Sequence, residues 1–449
     1  MTTVAEFVPC PAWLGAAEHW DRPTGKPLLP SEDPFYLAPE GLDLASPGTV
    51  LRFRDVGLGL FGMIPQAITA VQLLYRTQDC HGAPEAAVTT VLIPAQRAPR
   101  YPTPVLSYQC AIDAVADRCF PSYALRQGSA LRRDATSLGS VVHIDFLMIA
   151  AALAEGWIIS VPDHEGSEGR WGAPNEPGYR VLDGLRATLA IERTAVPPDA
   201  PIGLWGYSGG GLASGWAAEL AGYYAPELNI VGAALGSPVG DLGMTFRRLN
   251  GTMFSGLPAT VVAALTHVYP ELRALIDTHA NAAGKAMLAG IEKLSTVQAV
   301  LSMFRKDMDD LVDCPLEEML DTPVMTQIFD DIRLGHNIPT MPLLVIQAVH
   351  DQIIAVEGID TLTATYSAGG AQIAYHRDQL CEHLLLHPLA APMALRWLID
   401  RFDDRPVTDN MVRTAWPTLL NPMTYAGMWR LGGVLARMVG GQIVKRNPL

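Results

Sequence analysis

Cysteine is scarce and scattered: the 449-residue chain has six, Cys10, Cys80, Cys110, Cys119, Cys314 and Cys381, and no CxxC pair. That spacing excludes a small disulfide-built scaffold and a thiolate zinc module, and composition alone makes these buried thiols. Charge is thin as well, at 17% of residues, and it leans acidic, with a net −14 and no basic run. Phosphate-backbone binding needs clustered Lys and Arg, so a nucleic-acid partner is disfavoured. No stretch of about 18 uncharged apolar residues occurs, which argues against a membrane-spanning helix. The opening MTTVAEFVPCPAW lacks the basic-then-apolar order of an export leader, so the chain reads as soluble. Internal repeats and low-complexity tracts are also missing.

What remains is a globular chain with 49% hydrophobic residues, long enough for one large α/β domain with an insertion or for two to three average domains. Residues 1–40, rich in Pro and Gly, read as an irregular arm. AITAVQLLYRTQD and AAVTTVLIPA, joined by the turn-like CHGAPE, read as a β-hairpin. PVLSYQC, GWIISVPD, IGLWGYS, NIVGAALGSPV, PLLVIQAVHD and AQIAYHRD are short apolar runs suited to buried strands. Helix-length stretches such as DFLMIAAALAEG and GYRVLDGLRATLAIERT separate several of them. This alternation predicts a mostly parallel sheet with helices on both faces.

Between 241 and 336 the β-branched runs stop and helical spacing takes over, which predicts a helical insertion into a core formed by 41–240 and 337–404. Met253, Met287, Met303, Met308, Met319 and Met325 lie in it or on its flanks. Such adaptable side chains suit a lid over a greasy substrate, and equally plain core filling. Residues 405–449 form a tail whose apolar MTYAGMWRLGGVLARMVGGQIVKR reads as docked on the core, or as a flap or interfacial helix, although its glycines weaken a helix.

Two glycine motifs compete for attention. GLGLFG, with Gly57, Gly59 and Gly62 and with Asp79 further on, matches the dinucleotide fingerprint. That fingerprint needs a helix directly after it, whereas Ile64-Pro65 and a hairpin arm follow, so a glycine-rich loop entering a strand is the better reading. The second motif, Gly206-Tyr207-Ser208-Gly209-Gly210, stands between a buried-strand run and a helix of small residues. It fits the G-x-S-x-G nucleophile elbow, where the turn is too crowded for side chains beside the serine.

A serine hydroxyl is a poor nucleophile near neutrality and needs a histidine base oriented by a carboxylate. In α/β-hydrolases the chain order is serine, acid, histidine, each partner following a later strand. Asp351 sits just past PLLVIQAVH, whereas Asp310, Asp330 and Glu357 fall in predicted helices or beyond the strand end, so Asp351 is the expected acid. His376 belongs to a strand, His387 lies a turn into the next helix, and His383 opens that helix, so His383 is the expected base. The same His383 and His387 form an HxxxH pair, but no HExxH glutamate or dense ligand cluster accompanies them, so neither a metal nor an organic cofactor is expected.

The quoted elbow stretch LWGYSGGGLASGWAAELAGYYAPELNIVGAALGSP, with DPFY, QLLYRTQD, SYQCAIDAVADRCFPSYAL, VPDHEG, HDQII and CEHLLL, resembles the secretory lipase family that Candida antarctica lipase A typifies. The resemblance runs from about 34 to 402. It implies an α/β-hydrolase with a helical cap between nucleophile and acid, and a triad of Ser208, Asp351 and His383. It further implies oxyanion donors at Gly209 and at Asp113 of AIDA. An ionised carboxylate repels an oxyanion, so Asp113 must act through its backbone N–H or as a neutral acid. The HGGG motif of other lipases is absent. The resemblance also implies a disulfide between Cys119 and Cys314, and a secreted or cell-envelope location, while the missing leader pattern leaves a cytoplasmic one open.

The expected activity is hydrolysis of lipid-like esters such as triacylglycerols through an acyl-enzyme, at or away from a lipid–water interface. Rival readings are a small-ester esterase, an acyltransferase or a serine peptidase of the same fold, and a non-catalytic binding module. A prolyl oligopeptidase relative would need a propeller domain that this chain lacks.

Overall fold

In a computed structural model the protein is described over residues 17–20, 25–407 and 412–445. Its apolar runs pair into one sheet. The strands are β1 (Glu18–His19), β2 (Val50–Val56), β3 (Thr69–Gln78), β4 (Pro84–Ile93), β5 (Val105–Gln109), β6 (Ile158–Pro162), β7 (Ile202–Tyr207), β8 (Ile230–Gly236), β9 (Leu343–Ala348), β10 (Ile373–Asp378) and β11 (Val412–Thr414). Among the described residues this is an 11-stranded sheet in the order β1-β2-β3-β4-β6-β5-β7-β8-β9-β10-β11. From β6 to β11 every pairing is parallel, and the hairpin β3–β4 joins β2 and β6 by antiparallel ladders.

Strand side chains alternate between two apolar layers, as both faces of a parallel sheet must be covered. Ile202 and Leu204 point to one layer, where α2 (Glu176–Ala190) and α3 (Gly209–Tyr224) pack. Trp205 and Tyr207 point to the other, covered by α1 (Val142–Ala154) and by two helices late in the chain. Between β8 and β9 the chain leaves the sheet for seven helices, Leu242–Leu249, Gly256–Leu265, Pro270–His279, Ala282–Ile291, Thr296–Ser302, Leu316–Leu320 and Pro323–Asp331. Met303, Met308, Met319 and Met325 are buried there, whereas Met253 is exposed.

The arm and the tail both pack on the core, whereas the disulfide expectation fails. Residues 1–16 and 21–24 lie outside the described residues, and the described part of the N-terminal arm is tied down. Glu18–His19 pairs with Arg52–Phe53, and Phe35 is buried beside Leu51, Leu74 and Val88. Arg54 lies over its ring and bonds Asp33 at 2.8 Å, a buried pair that spares both charges an unpaired burial. The expected disulfide is absent. Cys119 and Cys314 are free thiols, one buried in the α1 layer, the other half-buried in the insertion with its Sγ 3.7 Å from His279 Nδ1.

The tail, finally, forms a long helix despite its glycines. Val356–Ala368 gives α4, His383–Phe402 gives α5, and Pro422–Val439 gives α6. α6 buries Thr424, Leu431, Val434 and Met438 against α1 and α5. A Cβ at Gly427 would stand 2.2 Å from Pro392 Cβ, so the glycine permits a close helix approach that offsets its poor propensity. GLGLFG enters no helix: Gly59–Leu60 pairs with Ile64–Pro65 in a two-stranded ribbon.

Cys314→Ser is expected to leave the melting temperature within about 2 °C, with or without dithiothreitol. A larger loss, matched by dithiothreitol on the unmodified protein, would show a stabilising bond between these thiols.

Candidate active site

The sheet brings three loops together at the carboxyl ends of its parallel strands, where open α/β sheets bind ligands. Ser208 follows β7 directly, in a backbone conformation with φ 56° and ψ −121°, and α3 begins at the next residue. Such a φ strains a residue with a Cβ by about 1–3 kcal/mol and persists only where packing enforces it. The surroundings do so: a Cβ on Gly206 would lie 2.1 Å from Gly210 O, and one on Gly210 would lie 2.0 Å from Gln109 O. Only a chain stripped of side chains at both positions can turn this sharply. The turn leaves the first N–H groups of α3, Gly209's among them, without helical acceptors beside the serine.

Ser208 Oγ lies 2.9 Å from His383 Nε2 and donates to it. His383 Nδ1 lies 2.7 Å from Asp351 Oδ2, a contact that fixes the proton on Nδ1 because a carboxylate only accepts. Both partners are buried. Asp351 is immobilised by N–H bonds from Ile353 and Ile354 at 2.8 Å to Oδ1, and by Gln347 at 3.1 Å to Oδ2. Arg248 of the insertion donates to Asp351 O at 2.7 Å, so the insertion steadies the loop that carries Asp351. His383 begins α5, whose N-cap Glu382 accepts from Leu384 and Leu385. Tyr207, next to the serine, donates its hydroxyl to His383 O at 2.6 Å.

His387, the other member of HxxxH, turns to a different carboxylate. Its Nε2 is 3.2 Å from Asp145 Oδ1, and its ring stacks on Tyr207 at 4.4 Å. Asp145 accepts instead from Tyr108 at 2.8 Å and from Ala111 N at 2.9 Å, which ties α1 to the loop after β5. His376 stays in its strand, bonded to Thr414 and Thr418. The two HxxxH imidazoles thus face separate carboxylates, His383 bonding Asp351 and His387 lying beside Asp145.

Asp113 lies in that β5 loop, with φ 49°. Its Oδ1 stands 2.0 Å from where a Cβ on Gly209 would be, and it has no hydrogen-bond partner. The Asp113 N–H does have one: it donates to Glu165 Oε1 at 3.3 Å. Burial pushes the Asp113 carboxyl up to about 7, with the charge of Asp145 adding to the shift. Burial, reinforced by Asp113, also holds Glu165 well above the usual carboxylate range. Trp171, whose buried indole N–H has no partner either, lines the same cavity as Ser208 and Asp113.

The segment after β6, read in sequence only as part of VPDHEG, fastens this loop at three successive residues. Asp163 accepts from Ser122 N at 2.9 Å, His164 donates through Nε2 to Cys110 O at 2.8 Å, and Glu165 holds Asp113. Burial lowers the His164 imidazole to about 4, which keeps it neutral and able to donate. Sequence reasoning missed Glu165, Trp171 and the Asp145–His387 pair. Three polar residues at the end of an apolar strand, with no basic neighbour in sequence, were the available signal.

Beyond the serine the walls are apolar. A cavity of about 60 Å³ joins Ser208 and Asp113 to Leu242, Phe246, Val261, Met319 and Ile328 of the insertion. A second, of about 50 Å³, lies deeper in the insertion and shares Phe246, Val262 and Met319 with the first.

A parallel sheet, a strained serine between strand and helix, and a histidine and aspartate after later strands define an α/β-hydrolase. The family model described as secretory lipase matches residues 131–410. The chain belongs to the secretory lipase family. It is 58% identical over 438 residues to a protein of Mycobacterium tuberculosis named a probable inactive lipase, covering 97% of each chain. It is 36% identical over 411 residues to lipase A of Arthroderma benhamiae, covering 88% of this chain and 85% of the relative. The X-ray structure of Candida antarctica lipase A superposes with a TM-score of 0.81 at 28% identity, over 92% of this chain and 95% of that one.

Glu165→Leu should leave Asp113 N–H buried without an acceptor, at about 1–3 kcal/mol, and speed amide exchange across 111–114. Glu165→Gln keeps an acceptor oxygen and should leave exchange nearly unchanged. Equal protection in both variants would show that Glu165 does not hold the loop.

Proposed function

We propose that this protein is a serine carboxylic ester hydrolase, a lipase or carboxylesterase acting on esters with an apolar acyl chain. The reading rests on one observation: the continuous hydrogen-bond path from Ser208 Oγ through His383 to Asp351, at 2.9 and 2.7 Å. As Ser208 attacks the ester carbonyl, His383 Nε2 takes the hydroxyl proton, and the buried Asp351 offsets the imidazolium charge. His383 then protonates the departing alcohol, leaving an acyl-enzyme on Ser208. Water, deprotonated by the same imidazole, repeats the sequence and frees the acid.

The tetrahedral oxyanion needs donors, and two groups suit the task. One is the Gly209 N–H at the start of α3. The other is the Asp113 side chain, because its own N–H is already used by Glu165. A neutral carboxyl donates a hydrogen bond where an ionised one repels, and burial to about 7 supplies the neutral form in mild acid. The lining of Leu242, Phe246, Val261 and Met319 supports an apolar acyl chain as the occupant of the cavity. Family membership supports a secreted or envelope location. The name of the mycobacterial relative makes turnover the point to test, since a fold kept without activity would also carry that name.

Ser208→Ala is expected to abolish hydrolysis of p-nitrophenyl esters and labelling by an alkyl fluorophosphonate. No turnover by the unmodified protein across acetate to palmitate esters would contradict the reading.

The raised Asp113 pKa fixes the sign of a pH effect: the carboxyl holds its proton below about 7 and loses it above, so the rate should fall as pH rises through that value. Asp113→Asn, a permanent donor, should remove that fall. Asp113→Leu should cost roughly 100- to 1,000-fold in kcat. An unchanged alkaline fall in Asp113→Asn would show that another group titrates.

A further inference from the structure

The α6 helix uses one face to dock and leaves the other uncovered. Thr424, Leu431, Val434 and Met438 point inward. Outward, at helical spacing, stand Tyr425, Trp429, Leu435 and Val439, followed by Ile443 beyond the helix end, and Trp429 is 82% exposed. No charged residue is among the exposed positions of Pro422–Val439; Arg430 and Arg437 are half-buried along its flank. A helix apolar on both faces normally lies inside a core, and here one side faces solvent.

Charge along the chain is segregated in the same place. After Asp409 the sequence holds five basic residues, Arg413, Arg430, Arg437, Lys445 and Arg446, and no acidic one, so against a whole-chain −14 the stretch through Asp409 carries −19. We infer that the outer face of α6 docks on an anionic lipid surface, with Tyr425 and Trp429 at the headgroup level and the basic flank toward the lipid charge. Indole and phenol rings favour that level because each has an apolar body and a polar edge. Electrostatics then selects one orientation, since an anionic surface attracts this segment and repels the rest of the molecule. A second copy fits less well: α6 and the residues after it hold basic residues and no acidic one, so two copies of this face would bring like charge together. The inference concerns binding alone and stands whether or not Ser208 turns over an ester.

The test is co-sedimentation of the full chain with large vesicles of phosphatidylcholine alone or with about 30% phosphatidylglycerol. Binding to the anionic vesicles that weakens with added salt is expected. Trp429→Ser combined with Val439→Ser should reduce it about tenfold or more without shifting the melting temperature. No binding by the unmodified protein, or equal binding by the double variant, would overturn the inference. So would a dimer in sedimentation velocity that the double variant dissociates.

Discussion

The site depends on a backbone too crowded to turn with ordinary residues. Ser208 is held at positive φ because Gly206 and Gly210 let β7, α3 and the β5 loop meet with backbone atoms in contact. The candidate site is arranged around that turn. It lifts the hydroxyl above the carboxyl ends of the strands, aims unsatisfied helix N–H groups at the same space, and brings Gly209 against the Asp113 carboxyl. The strain is offset by a core of two apolar layers large enough to absorb it.

Around the turn, polarity is buried in fixed pairs. Asp351 with His383, Asp145 with Tyr108 and the Ala111 N–H, and Glu165 with the Asp113 N–H each join separate segments, which ties the loop after β9 to that after β10 and the loop after β5 to α1 and to the loop after β6. Low dielectric raises the stakes of each contact, because a buried charge without its partner is costly. It also gives one carboxyl, Asp113, an ionisation range unlike that of an exposed aspartate. The insertion contributes through Arg248 at the Asp351 loop and through the apolar cavity wall, so its helices are coupled both to the proposed catalytic groups and to the cavity beside Ser208.

Much of this was legible in sequence, for reasons that can be named. Buried parallel strands require uninterrupted apolar runs, and PVLSYQC, GWIISVPD, IGLWGYS, PLLVIQAVHD and AQIAYHRD each supplied one. The order of serine, aspartate and histidine, each partner after a later strand, selected Ser208, Asp351 and His383, and the sheet brings those three into contact. For Glu165 and Trp171 the sequence offered only a polar strand end, because their roles arise where the β5 and β6 loops meet, far apart in sequence. The Cys119–Cys314 pairing came from family resemblance rather than from spacing, and the two thiols lie in different apolar layers. Helix propensity misjudged the tail, where a glycine permits contact with Pro392 that propensity does not count.

The central claim is that the Ser208 hydroxyl is activated enough to become acylated. Rapid quench of the protein with a p-nitrophenyl decanoate pulse, followed by peptide mass spectrometry, measures that directly. The expected result is a decanoyl adduct on Ser208 that forms with a burst of p-nitrophenol and decays as water deacylates it. Nitrophenol release with no adduct at Ser208, or an adduct on another residue, would contradict it.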